Sequence, residues 1–262
     1  MTLDALWQDI EAKIARYNSL CLSEVVDHKK LYLYSLITHS TAIEGSTLTE
    51  LDTQLLFDDG ITAKGKPLVH HLMNEDLKNA YLWVMENAIK NTPVTVAFLQ
   101  EANARIMKTT GTMMYVAAGS FDSSKGDFRL CNVQAGFGGE SYLNFSKVPE
   151  KTAKLACTVQ SSLDSSKHVP DIYNMSFDAH LNLVTIHPWV DGNGRTARLL
   201  MNYLQLYHSL ILSKVYREDK AEYITALMVS RQKNDREPFR TFMAEQLLKM
   251  LDEETQKGYV KP

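Results

Sequence analysis

The chain has 262 residues, with 28 Lys and Arg against 31 Asp and Glu, a formal charge of −3. That length sets a prior of one or two domains and allows a core that needs neither disulfides nor structural metals. The near-balanced charge excludes a general nucleic-acid or anionic-membrane binder, which requires a strong basic excess. With 12 glycines and 7 prolines, about 7% of the chain against a usual value near 12%, the composition predicts a helical protein. Cys21, Cys131 and Cys157 are scattered and form no CxxC pair, which excludes a disulfide framework and fits a reducing compartment.

Taken in chain order, Leu3, Leu6, Ile10 and Ile14 repeat at three and four residues, as do Leu31, Tyr34, Ile37 and Thr41, so two helices are predicted there. Asp4, Asp9 and Glu11 interrupt the first of them, which is therefore not read as a secretory signal; a cytoplasmic address is the expectation. Further helices are predicted over Leu68–Ile89 and Val94–Met107. Six glycines then fall between Gly111 and Gly139, marking one non-helical insert. Within it the alternation from Asp127 to Gln134, the Gly138-Gly139 pair and Tyr142–Phe145 predict a short hairpin lying on the helical body. Pro149–Leu163, Asp171–Ile186 and Phe239–Leu251 complete the helices, with prolines at the boundaries. The Asp171–Ile186 stretch is apolar around most of its circumference and is expected to be central. The longest apolar run, Leu199–Leu212, is broken by Asn202, Gln205, His208 and Ser209, so no membrane span is expected. The simplest organisation is all-α: an N-terminal helical extension over residues 1–60 and a core over 61–262.

The central helix runs straight into His187-Pro188-Trp189-Val190-Asp191-Gly192-Asn193-Gly194-Arg195-Thr196-Ala197-Arg198. Pro188 forces His187 out of the α region, and Ala197, Leu200, Met201 and Leu204 restore a helical period, so the segment reads as helix, tight loop, helix. Loop amides at a new helix N-terminus bind anions. Arg195 and Arg198, three residues apart, offer two forked donors suited to phosphate on one face. Asp191 is a hard oxygen ligand suited to Mg²⁺, and His187 is a base of the right class. Isolated arginines in a first helical turn oppose the helix dipole unless an anion compensates. Anion cradle, divalent ligand and base together point to phosphoryl or nucleotidyl transfer. His180 and His187 lack the HExxH spacing of a zinc site, and no GxxxxGK[ST] P-loop is present.

This loop resembles the signature of the Fic family, HxFx[DE]GNGRxxR, whose members transfer AMP from ATP to protein hydroxyls; it departs only at Trp189, where the family usually has Phe. The resemblance implies a Fic-type helical bundle with a small β-hairpin flap at about 126–145 and the signature loop at 187–198. It also implies that His187 takes the proton of a Ser, Thr or Tyr hydroxyl and that Asp191 holds Mg²⁺ on the α- and β-phosphates. Gly192, Asn193 and Gly194 would line the anion hole, Arg195 would bind the β-phosphate and Arg198 the γ-phosphate. Gly126–Arg129 and the hairpin that follows look like the family's target-docking flap, which makes Arg129 and Val133 docking candidates. Tyr223–Leu227 stands where the family lines its adenine pocket, with Tyr223 the candidate.

A second motif lies upstream. In Ser40-Thr41-Ala42-Ile43-Glu44-Gly45, Gly45 is expected to end a helix, leaving the Glu44 carboxylate in its last turn, where it opposes the dipole by a few tenths to about 1 kcal/mol. The sextet resembles the family's inhibitory motif, [ST]xxxE[GN], whose Glu pairs with the second signature Arg, here Arg198; Ser40 and Glu44 are its specified residues. The implied protein is a self-inhibited adenylyltransferase that uses ATP and Mg²⁺. Its partner would be a protein with a surface hydroxyl, or the chain itself, as a monomer or homo-oligomer. The alternatives are AMP removal or another nucleotidyl or phosphoryl transfer on the same scaffold, and a non-catalytic helical interaction module.

Overall fold

A computed structural model describes residues 3–21, 27–135, 139, 141–163, 165 and 168–257. In chain order its helices are α1 (Leu3–Ser19), α2 (His28–Ile43), α3 (Glu50–Asp59), α4 (Leu68–Ile89), α5 (Val96–Ile106), α6 (Val148–Leu163), α7 (Val169–Ile186), α8 (Asn193–Tyr207), α9 (Lys220–Lys233) and α10 (Glu237–Lys257). Strands β1 (Met113–Val116) and β2 (Gly119–Asp122) lie between α5 and α6. Prolines start helices as expected: Pro170 sits in the first turn of α7, and Pro149 and Pro238 each follow the first residue of α6 and α10. Thr49 and Asp52 close a reciprocal capping box at α3, and the Thr95 hydroxyl accepts the Phe98 N–H at α5.

Two compact units share these elements: Met1–Ala63 with Leu212–Pro262, and Lys64–Ile211. In the first, α1 packs on α10, α10 on α9 and α2 on α3. Chain order therefore does not follow packing. The helices after Leu212, which the sequence reading placed with the core from residue 61, belong to the unit of the N-terminal helices. Apolar faces of α1 and α10 drive this pairing, with Leu6, Ile10, Leu247, Met250 and Leu251 all buried.

In the second unit α7 lies along α8, while α4 packs on α5 and α8 and α6 packs on α7. The expectation of a central α7 holds: Ile172, Tyr173, Phe177, Ala179, Leu181, Leu183 and Val184 are buried, as are Leu199, Leu200, Met201, Tyr203 and Leu204 on α8. Each large side chain so buried contributes roughly 1.5–3 kcal/mol of transfer free energy. That density holds both ends of the loop between α7 and α8 on rigid rods.

The regular hairpin is not where the sequence reading put it. β1 and β2 pair antiparallel from Met113↔Asp122 to Val116↔Gly119, across a two-residue turn at Ala117-Ala118. That turn lacks the Asn-Gly or Asp-Gly signal by which such hairpins are recognised. Over 126–145 the described residues hold one antiparallel bridge, Gln134↔Ser141, and the Tyr142 N–H bonds the Val133 carbonyl. The Gly138 half of the expected Gly-Gly turn lies outside the described residues. Among the described residues no helix is long and apolar enough to cross a membrane.

Candidate active site

The α7–α8 loop is fixed at both ends by its own sequence. His187 caps α7, its N–H bonded to the Leu183 carbonyl at 2.9 Å, with φ +53° and ψ +64°. A non-Gly residue held in the left-handed region carries strain. At the far end Gly192 has φ +79°, and a Cβ there would stand 2.6 Å from Asn103 Nδ2 and 3.0 Å from Met107 Sδ, so any other residue would be strained and would displace the Asn103 amide. Its carbonyl accepts both the N–H and the hydroxyl of Thr196 at 2.8 Å, starting α8.

Inside the loop, Asn193 acts as a staple. Its Oδ1 accepts the Trp189 N–H at 3.0 Å and its Nδ2 donates to the Trp189 carbonyl at 2.9 Å. That leaves the backbone of Asn193, rather than its side chain, to face an anion. Trp189 is fully buried, and its indole N–H donates to the Gly126 carbonyl at 2.9 Å. A Phe there would lack this donor, so the departure from the family pattern gains a bond between the loop and residue 126. Gly194 lies in the first turn of α8, whose N–H groups have no intrahelical partner.

Arg195 is buried, 2% exposed, with Nη2 at 3.3 Å from Met107 Sδ and 3.4 Å from Asp191 Oδ1. Its Nε and Nη1 are buried with no acceptor. Leaving such a donor unpaired costs about 1–3 kcal/mol, more when it is charged. Two orphaned guanidinium N–H groups beneath a helix N-terminus are the condition an anion would relieve. Asp191 points outward, its side chain 63% exposed, with Oδ1 accepting the Gly192 N–H. Among the described residues no three His, Cys, Asp or Glu side chains gather as a metal site. A lone exposed carboxylate suits Mg²⁺, which is commonly held by one or two carboxylates together with substrate phosphates.

Arg198, one turn on, is also buried. Its charge faces Tyr81 and His180. Burial first, and Arg198 second, hold the His180 imidazole well below its usual value, so the residue beside this cation is neutral. Tyr81 is pushed up by burial against the opposing pull of Arg198 and donates to Asn202 Oδ1 at 2.6 Å.

The His187 ring packs face to face on Tyr142, with centroids 3.7 Å apart and planes at 18°. Its Nδ1 lies 3.3 Å from the Val184 carbonyl, which favours the tautomer with the proton on Nδ1 and leaves Nε2 basic. Arg129, buried at 1% exposure, donates through Nε to the His187 carbonyl at 2.7 Å.

Sequence reasoning missed the layer behind the loop. Asn103 on α5 is fully buried and donates to the Asp191 carbonyl at 3.3 Å and to Thr196 Oγ1 at 3.1 Å. Asp76 on α4 accepts the Thr109 N–H and hydroxyl at 2.8 and 2.7 Å; burial raises its pKa, opposed by those bonds and by Arg195. Polar residues at buried helix positions were the available signal.

The remaining candidates lie on other elements. Val133 is half-buried, its carbonyl on Tyr142 N–H. Ser40 is buried within α2, Glu44 is the C-cap of that helix, and Gly45 follows at φ +104°, which ends the helix as expected. Tyr223 on α9 is 2% exposed and packs its ring near Phe239 and Phe242, with centroids at 6.2 and 6.0 Å. Ser40, Glu44 and Tyr223 all fall in the unit made of Met1–Ala63 and Leu212–Pro262, and the signature loop in the other.

Residues 93–205, from the turn before α5 to the end of α8, match the sequence profile of the Fic/DOC family. Over that stretch the chain is similar to the Fic/DOC family. It is 28% identical over 234 residues to protein adenylyltransferase Fic of Drosophila erecta, a match that takes in 86% of this chain and 42% of that one. The chain thus spans about two fifths of the length of the curated relatives it matches. In fold it is similar to a Fic-domain-containing signaling protein of Bacteroides thetaiotaomicron, with a TM-score of 0.82 at 22% identity over 97% of this chain and 98% of that one. Fic-1 of C. elegans gives a TM-score of 0.71 at 20% identity over 97% and 73%. The fold is the mostly helical Fic fold with a two-stranded antiparallel hairpin.

Proposed function

We propose that the chain is a self-inhibited protein adenylyltransferase. The observation that carries the transferase reading is Arg195, a buried cation with two unpaired N–H groups at the N-terminus of α8, beside an exposed Asp191 and within one loop of His187. The substrate that fits is ATP: Arg195 and Arg198 bind its β- and γ-phosphates, and the amides of the first turn of α8 bind the anion between them. Asp191 would hold Mg²⁺, which supplies charge neutralisation on the phosphates. A Ser, Thr or Tyr hydroxyl of a target protein gives its proton to His187 Nε2, its oxygen bonds the α-phosphorus, and pyrophosphate leaves. Catalysis is then mostly positioning and charge stabilisation.

The regulatory part rests on the 40–45 motif. Glu44 presents a carboxylate at the dipole-disfavoured end of α2. Arg198 is a buried cation, with the sign to hold such a carboxylate. We assign Glu44 as the inhibitory partner of Arg198, which withholds the γ-phosphate ligand.

Mass spectrometry of the chain after incubation with ATP and Mg²⁺ tests both parts. Added AMP on the chain or on a hydroxyl-bearing acceptor protein, stronger in Glu44→Gly and absent in His187→Ala, is expected. Added phosphate without adenosine would replace adenylylation with phosphoryl transfer. No adduct with either the wild type or Glu44→Gly would refute the transferase reading.

A further inference from the structure

The guanidinium of Arg129 lies inside the protein and meets backbone. Nε donates to the His187 carbonyl and Nη1 to the Cys131 carbonyl, each at 2.7 Å, while Nη2 donates to the Leu143 carbonyl. The Arg129 N–H itself bonds the Pro188 carbonyl at 3.1 Å. One side chain thus grips the residue carrying the candidate base and the backbone at Cys131 and Leu143. Tyr142, adjacent to Leu143 in the chain, stacks on the His187 ring.

We propose that Arg129 and Tyr142 are positioning residues for the base. Arg129 holds the His187 backbone in its left-handed turn and ties the backbone at Cys131 and Leu143 to it, and Tyr142 sets the plane of the imidazole. This rests on the reading of His187 as the base.

Three features support it. A strained backbone persists only where its surroundings over-determine it, and the two carbonyls that follow the strained φ, those of His187 and Pro188, are both held by Arg129. Three acceptors around one planar group suit the fork of Arg and not the point charge of Lys. Burial alone disfavours the Arg129 cation, so its retention requires those acceptors.

The test uses the full chain in a Glu44→Gly background, with Tyr142→Leu, Tyr142→Phe and Arg129→Lys. The ¹H–¹³C resonance of His187 Hε1, identified by its loss in His187→Ala, is expected upfield of a free imidazole because of the stacked ring. It should stay there in Tyr142→Phe and return downfield in Tyr142→Leu. AMP transfer by Tyr142→Leu and Arg129→Lys should fall about ten- to a hundredfold in kcat, with KM for ATP within about threefold, while Tyr142→Phe retains the parent rate. A His187 resonance unmoved by Tyr142→Leu overturns the proposal, as does an unchanged kcat in both Tyr142→Leu and Arg129→Lys. If Arg129→Lys does not fold, the Tyr142 pair decides. Parent protein that transfers nothing while its His187 resonance behaves as described refutes adenylylation and leaves the clamp standing.

Discussion

Replacing Arg195 with Met should stabilise the protein without nucleotide and remove its response to nucleotide. Met keeps the apolar stem and deletes the guanidinium, whose Nε and Nη1 have no acceptor. What is lost is a weak 3.3 Å contact to Met107 Sδ, the pull on the buried Asp76, and the contact at 3.4 Å to Asp191, a side chain 63% exposed and therefore screened; such an exposed pair is worth about 0–1 kcal/mol. Relief of two buried unpaired donors at about 1–3 kcal/mol each outweighs it. A conservative net gain of about 1–3 kcal/mol raises Tm by roughly 2–10 °C for a chain this long. ATP acts oppositely. At a hundred times Kd it stabilises the wild type by about 2.7 kcal/mol. Removing charge-assisted bonds of about 1.5–3 kcal/mol weakens binding roughly ten- to a hundredfold, so the same ATP concentration stabilises the variant by about 0.4–1.4 kcal/mol. Thermal unfolding of both proteins, with and without ATP and Mg²⁺, reads the two effects together. A variant less stable than the wild type with an undiminished ATP shift would show that Arg195 is a structural cation and that the cradle is elsewhere.

Glu44→Gly should raise AMP transfer about ten- to a hundredfold if it breaks a pair of roughly 1.4–3 kcal/mol; Arg198→Ala should not, since it removes the phosphate ligand with the lock, and initial rates for both singles and the double decide it. Trp189→Phe should keep transfer but lower Tm by a few degrees through loss of the indole bond to the Gly126 carbonyl, a bond of about 0.5–1.5 kcal/mol; an unchanged Tm would mean that the bond contributes nothing. Glu50 bonds His39 and Ser35, and chiefly the His39 bond lowers its carboxyl to about 2. A depressed folded value gives stability that is complete above the unfolded value of about 4.3 and is lost as pH falls toward about 2. The difference in stability between wild type and Glu50→Gln should therefore shrink across that window, and a constant difference contradicts the assignment.

Much of this molecule was legible because its signals are local. The 3.6-residue period, the prolines and the apolar surround of α7 each follow from neighbours in the chain, and so does the helix–loop–helix at 187–198. The misses are long-range. The hairpin at 113–122 turns on two alanines, whereas over 126–145 the described residues hold a single bridge. Nothing within the last fifty residues announces that α10 pairs with α1. Arg129 read as a docking residue because sequence does not reveal burial, and Asn103 and Met107 reach the loop from α5 only once the chain has folded.

Local rules and the observed structure part company at one place above all, and that place is informative. A sequence specifies its fold when propensity, polar satisfaction and backbone preference agree, and proteins break that agreement where function demands it. Cys21, Asp27, Asn91, Ser209 and Asn234 also have positive φ, which Asn and Asp tolerate best. His187 alone of these stands before a proline, and it is held there by a buried arginine. Eight residues on, Arg195 is buried with donors unpaired. Folding alone explains neither: Gly or Asn at 187 and Met at 195 would relieve both costs and preserve the packing. A reaction that needs a base at the turn and an anion at the helix start explains the two together, which is why they share one loop.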